Sequence, residues 1–264
     1  MRFLTGLILV ALAQAVDHVA AKRHTAGRAT GYWYADIKHD GTSPTIANGK
    51  NWTVFRNVRD YGAKGDGTTD DTATIQRAID TGDSSGSRAK GSQFGMTGQP
   101  AVVYFPSGTY SVSSTVTNRV GTILMGDPTN RPVIHAASNF TGTYLIIGHD
   151  PRYTGLAAFF HGLRHLVLDT TAVPRKTITI LEWGVSQASQ LSNVMFRMPI
   201  GAAGHTGLVT PGQCTQLLYN ELEIVGGGTG IALSVTQVHL KNILFKSTAV
   251  AFLRRPPSLS MKKR

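Results

Sequence analysis

The chain of 264 residues contains a single cysteine, Cys214, which excludes a disulfide framework. In an oxidising compartment that thiol is either buried and free or short of a partner. Charge is scarce too, with Asp, Glu, Lys and Arg together making up 16%. Acids are outnumbered by bases, 15 against 26, which gives a net charge of +11. Five of the bases, Arg254, Arg255, Lys262, Lys263 and Arg264, lie beyond residue 250 with no acid near them. No aromatic-interleaved basic motif accompanies them, so the excess reads as a tail effect and not as a nucleic-acid footprint. After the first residues no apolar run is long enough to span a membrane. A Ser-His-Asp arrangement, a phosphate-binding loop and metal-ligand spacing are all missing, so neither a cofactor nor a metal is expected.

Helix-forming Glu, Lys and Leu are sparse, whereas turn-forming Gly reaches 29 residues. Hydrophobic residues at 41% still suffice for a core. This balance favours an all-β chain of many short strands. At the N-terminus, Arg2, the apolar run from Phe3 to Ala13 and the Ala13-Gln14-Ala15 site form a secretory signal pattern over residues 1–15. Residues 16–50 form a leader in which Lys22-Arg23 is either a processing site or a solvated charge pair. The leader also holds Tyr32-Trp33-Tyr34, which either stacks on a sugar or pins the arm to a neighbouring domain. The sequons at Asn51 and Asn139 fit an exported glycoprotein.

From Val58 to Asp80 the signals are local. Gly62, Gly65 and Gly67 mark tight turns, Asp70 suits an N-cap, and Asp71 suits a first helical turn. Ile75, Ala78 and Ile79 share one face, so the spacing predicts a short amphipathic helix that caps a solenoid. Asp60, Asp66, Asp70 and Asp71 are explained by turns and caps; no bidentate Glu closes a calcium loop.

Strands are expected at Val102–Pro106, Tyr110–Val116, Thr122–Met125, Val133–His135 and Tyr144–Ile147. A repeat then starts at Leu163 and returns at Leu191, Tyr219 and Leu240. In each copy positions one, four and six are apolar or largely so, and position three is polar: His165, Asn193, Glu221 and Asn242. Stacked copies give apolar ladders inside and polar turns outside, as in a parallel β-helix; the denser leucine pattern of leucine-rich repeats is absent.

The run from Asp60 to Thr72, with Ile75-Gln76, Ala78-Ile79 and Val103 to Tyr110, resembles the start of pectate-lyase-like domains. A narrower resemblance covers residues 32 to about 248. Tyr32-Trp33-Tyr34, Asp169 to Pro174, Gln187 to Val194, Met198-Pro199 and Gly204 to Gly207 are similar to glycoside hydrolase family 55. That resemblance implies a right-handed parallel β-helix over residues 51–250 and a secreted, inverting exo-β-1,3-glucanase acting on β-1,3-glucan. It also implies a second, C-terminal β-helix domain as partner, which supplies the general acid Glu and has no counterpart in these 264 residues. By resemblance Gln187 positions water, although an amide cannot take the proton; the alternative is a polar residue in a coil turn. Glu182 is a candidate for binding sugar hydroxyls, Trp183 for stacking on glucose or for packing, and His205 for a sugar contact or a structural role. Residues 251–264 lack strand alternation and read as an aberrant basic tail, either a gene-model artefact or a disordered end.

Two other readings compete. A polygalacturonase or rhamnogalacturonase-like enzyme would carry clustered Asp in its late coils, but no Asp follows Asp169. The other is a non-catalytic glucan-binding protein.

Overall fold

A computed structural model describes residues 32–39, 49–82, 88, 99–212, 214–235 and 237–254. The signal pattern, Lys22-Arg23 and residues 255–264 lie outside the described residues.

The repeat read from Leu163 onward folds as four long strands: β9 (Gly162–Asp169), β11 (Gln190–Arg197), β13 (Leu217–Val225) and β15 (Val238–Lys246). They pair in parallel and in register, so Leu163, Leu191, Tyr219 and Leu240 form one column. Leu166, Val194, Leu222 and Ile243 form a second, and Leu168, Phe196, Ile224 and Phe245 a third. In the first three coils these side chains are at most 1% exposed. Each contributes about 1.5–3 kcal/mol relative to an exposed position. In the last coil Leu240, Ile243 and Phe245 are only partly buried.

After each long strand the chain turns into a second parallel sheet. Its strands are β5 (Val116–Thr117), β8 (Tyr144–Ile147), β10 (Ile178–Glu182), β12 (His205–Thr210), β14 (Thr229–Leu233) and β16 (Val250–Arg254). The order is β16-β14-β12-β10-β8-β5. Alternation between the two sheets, coil after coil, makes the expected all-β parallel β-helix.

Position three of the repeat is where each long strand bends. His165, Asn193, Glu221 and Asn242 all adopt left-handed backbone, with φ between 54° and 57°. In the preceding coil a whole turn separates β6 (Thr122–Gly126) from β7 (Val133–Ala136), and the two pair with successive halves of β9. One earlier coil is built the same way by β3 (Ala101–Phe105) and β4 (Thr109–Val112). The sequence reading of one strand over Tyr110–Val116 is thus corrected to β4 and β5, because the Ser113–Thr115 corner turns the chain between sheets.

The first coil end is closed as the amphipathic pattern predicts. A short helix, α1 (Trp33–Asp36), and β1 (Phe55–Asn57) precede β2 (Asp66–Asp70) and α2 (Thr72–Asp80), which buries Ile75, Ala78 and Ile79. The buried Arg56 guanidinium donates to the Ala78 and Ile79 carbonyls at 2.9 and 3.2 Å, which satisfies the end of α2. The capping roles differ from expectation. Asp71 occupies the N-cap, but its carboxylate accepts from the Lys64 and Gly65 amides and closes the glycine loop. Asp70 accepts from the Thr72 amide at 3.0 Å. Gly65, at φ +63, would bring a Cβ to 2.9 Å from the Tyr110 ring.

The segment from Ala251 also departs from the sequence reading: residues up to Arg254 form β16, in register with β14. Its side chains Phe252, Leu253 and Arg254 are exposed, so the inside-outside contrast that marks a strand is muted there. Among the described residues no helix is long and apolar enough to cross a membrane.

Candidate functional site

The turn from β10 to β11 carries three of the four sequence candidates. Glu182 ends β10 between Ile147 of β8 and Val209 of β12, and all three are half buried. Its carboxylate makes no hydrogen bond among the described residues, and burial pushes its pKa above the ordinary carboxylate value. A carboxyl held toward its neutral form is suited to give a proton or to donate a hydrogen bond.

Gln187 is half buried on the same turn, and its Oε1 accepts from the Ser186 hydroxyl. Ala188 follows at φ 56°, one member of a second left-handed column with Phe160 and Gln216. That backbone fixes the corner from which Gln187 projects, while Ser189 Oγ ties it to the coil below by accepting from the His161 amide at 3.1 Å. An amide so placed can orient water or a hydroxyl but cannot act as a base.

The other two candidates belong to the core. Trp183 is fully buried, edge-on to His161 at 6.3 Å between ring centroids. No ring face is left for a sugar, because the turn folds the indole under the coil. His205 is fully buried as well. It lies 3.0 Å from the Thr170 hydroxyl through Nδ1 and 3.1 Å from the Val173 carbonyl through Nε2. With Nε2 protonated it donates to Val173 and accepts from Thr170, so both nitrogens are occupied and its pKa is lowered by burial. It fastens the Thr170–Val173 turn to β12. The four candidates therefore divide into an accessible pair, Glu182 and Gln187, and a buried pair.

Beneath this turn lies a polar group that the sequence reading did not single out. His161 is 1% exposed, and its Nδ1 lies 3.5 Å from the Asn118 amide. Burial lowers its pKa to about 3. His149 and Asp150 adjoin it; Arg152 holds Asp150 with contacts of 2.9 and 2.7 Å, and the carboxyl is ionised more readily than usual despite its burial. The Gly148-His149-Asp150 run, a His beside an Asp at a strand end, is the signal that marks it. Asn139 is exposed on the turn between β7 and β8, and Asn51 is exposed in a short helical turn. Among the described residues no cluster of three or more His, Cys, Asp or Glu could hold a metal ion.

The family model described as rhamnogalacturonase A/epimerase, pectate lyase-like, matches residues 55–255. A probable glucan endo-1,3-β-glucosidase from Arthroderma benhamiae is 37% identical over 238 residues, which is 85% of this chain and 26% of the relative. A glucan 1,3-β-glucosidase from Cochliobolus carbonum is 35% identical over 240 residues, 87% of this chain and 30% of that one. The chain thus spans between a quarter and a third of the length of these relatives. Among solved structures, the A-module of the mannuronan C-5 epimerase AlgE6 from Azotobacter vinelandii superposes with a TM-score of 0.53 at 20% identity. The match covers 73% of this chain and 50% of the module, a likeness of fold alone.

Proposed function

Because this chain belongs to the rhamnogalacturonase A/epimerase, pectate lyase-like family, we propose that its β-helix serves a secreted glycoside hydrolase of the family 55 type, acting on β-1,3-glucan. The observation that carries this reading is the 37% identity with the Arthroderma glucosidase over nearly the whole of the described β-helix. Within the proposal Gln187 orients the attacking water, and Glu182, with its raised pKa, binds a sugar hydroxyl beside it. Inverting hydrolysis also needs an acid at the leaving oxygen, with a water's width between the two groups. We assign that acid to a second β-helix packed on this one, a division of labour in keeping with the share of its relatives that the chain spans. Export is supported by the N-terminal pattern and by the exposure of both sequon asparagines.

The test is to incubate the purified chain with laminarin and with insoluble β-1,3-glucan, using polygalacturonate as comparator. Retention on the glucan without glucose release is expected. Glucose release by the 264-residue chain alone would remove the need for a second β-helix. Retention on polygalacturonate in place of glucan would turn the proposal to uronic-acid polymers, which the family's description also accommodates.

A further inference from the structure

At the β1 edge of the long sheet, the aromatic leader is built into a wall. Tyr32 lies 6.4 Å from Tyr104 between ring centroids, Phe55 stacks on Tyr104 at 5.6 Å, and His39 stacks on Phe55 at 3.8 Å. Pinning the arm accounts for Tyr34, which meets Phe55 at 5.6 Å. It does not account for Trp33, which stays 61% exposed.

Beside this wall lies a cavity of about 310 Å³, lined by Tyr32, Asp36, Asn57, Arg59, Tyr104 and Asp127 among others. Its polar groups are fixed but not used up. Asp127 is 4% exposed. Its Oδ1 accepts from the Thr129 amide and hydroxyl at 2.8 and 2.6 Å, Oδ2 accepts from Ser107 at 3.2 Å, and the Asn130 amide also bonds the carboxylate. Arg59 is held by a bond from Nη2 to the Ser107 carbonyl at 2.9 Å and by a bond to the Tyr110 hydroxyl, and the five N–H donors of a guanidinium leave others for a ligand. Tyr104 is 2% exposed, yet its hydroxyl has no hydrogen-bond partner among the described residues. Tyr104 lines the cavity, so that hydroxyl is open to a ligand, to which it can donate or accept.

We propose that this cavity is a binding subsite for a neutral hexose unit of a polysaccharide, separate from the turn that carries Gln187. Aromatic walls suit the C–H faces of a pyranose, and the ring of fixed donors and acceptors suits its hydroxyls. Two carboxylates against one guanidinium disfavour a uronate. Tyr104 lies near the end of β3 whereas Gln187 precedes β11, and three strand spacings separate those strands, about 14 Å along the solenoid. The ligand class rests on the carbohydrate-directed reading above.

Trp33 supplies the readout, since the other two tryptophans, Trp52 and Trp183, are buried. Its ring lies 5.7 Å from Tyr32. The full chain is titrated with a β-1,3-linked glucohexaose and with digalacturonate, following tryptophan emission and, in parallel, heat of binding. A saturable emission change with the glucohexaose alone is expected, weakened roughly tenfold in Tyr32→Ala and several-fold in Tyr104→Phe, with unaltered melting curves. Heat of binding without an emission change, or an emission change that both variants retain, overturns the subsite and leaves the proposed function standing. Absence of any glucohexaose binding overturns both. Digalacturonate occupying the site overturns the neutral-hexose assignment.

Discussion

Asn193 donates its side-chain amide to Nδ1 of His165, 3.0 Å away in the preceding coil, and both residues hold left-handed backbone. Arg131 in turn donates to Asn193 Oδ1 at 3.1 Å. The column they begin continues through Glu221 and Asn242. It bends every long strand at the same place and presents polar side chains on the outside of the bend.

Replacement of Asn193 should show how much of that bend is specified locally. A left-handed residue costs about 1–2 kcal/mol unless it is Gly or Asn, and the lost hydrogen bonds add about 1 kcal/mol. Asn193→Val is expected to lower stability by about 2–3 kcal/mol and Asn193→Gly by about 1 kcal/mol, read from urea midpoints. Equal shifts in the two variants would show that backbone handedness is not what Asn193 supplies.

Stability should fall on mild acidification. Burial lowers the pKa of His149, His161 and His205, and that of His161 reaches about 3. The unfolded chain, with imidazoles near pKa 6.5, then binds protons that the folded chain refuses. The contribution is whole above pH 6.5 and shrinks below it, by about 1.4 kcal/mol per pH unit for each fully excluded imidazole. Carboxylates with lowered pKa, such as Asp127 and Asp150, add to the loss only near and below pH 4. Urea midpoints between pH 7.5 and 4.5 should decline, less steeply in His161→Gln; a flat profile would contradict the burial of these rings.

Glu182 should behave in the reverse sense. Its pKa is raised by burial, so the folded chain favours the protonated form and the charge weakens the fold as pH rises through the carboxylate range. Glu182→Gln is therefore expected to raise the melting temperature at pH 7 and to change little at pH 4. No gain at pH 7 would mean that the carboxylate is better solvated than its surroundings indicate.

Gly148 has a steric duty, because a Cβ there would run into the Trp183 ring. Gly148→Ala should destabilise by about 1–3 kcal/mol, the usual range for overpacking, and should alter the near-ultraviolet circular dichroism of the indole.

Passage through a eukaryotic secretory pathway should leave a glycan on Asn139, which is exposed on its turn. The measurement is a gel shift on glycosidase treatment, absent from that site in Asn139→Gln. An unmodified Asn139 in the exported protein would count against the sequon.

The fold was legible because its signals are periodic. Three apolar columns recur with the coil, and a polar residue at position three marked the bend, although its left-handed backbone could not be read from residues as different as His165 and Glu221. The helix over Thr72–Asp80 was legible from Ile75, Ala78 and Ile79, but its capping was misjudged by one residue, since Asp71 is claimed by a loop closed through Gly65. The site was less legible. Trp183 and His205 look alike in sequence whether they face a ligand or the core, and burial by the following turn decides it. The subsite beside Tyr104 joins residues from the leader, β1, β3 and the turn after β6, a meeting that no local pattern announces.

Cys214 gives the molecule a built-in clock. Its thiol is 2% exposed, packs 3.8 Å from the Trp183 carbonyl, and has a pKa pushed up to about 12 by burial. In the native coil it is almost wholly protonated and shielded, so alkylating reagents react only with chains in which this coil has opened. With no second thiol to confuse the reading, the labelling rate reports how often the coil that enters β13 opens.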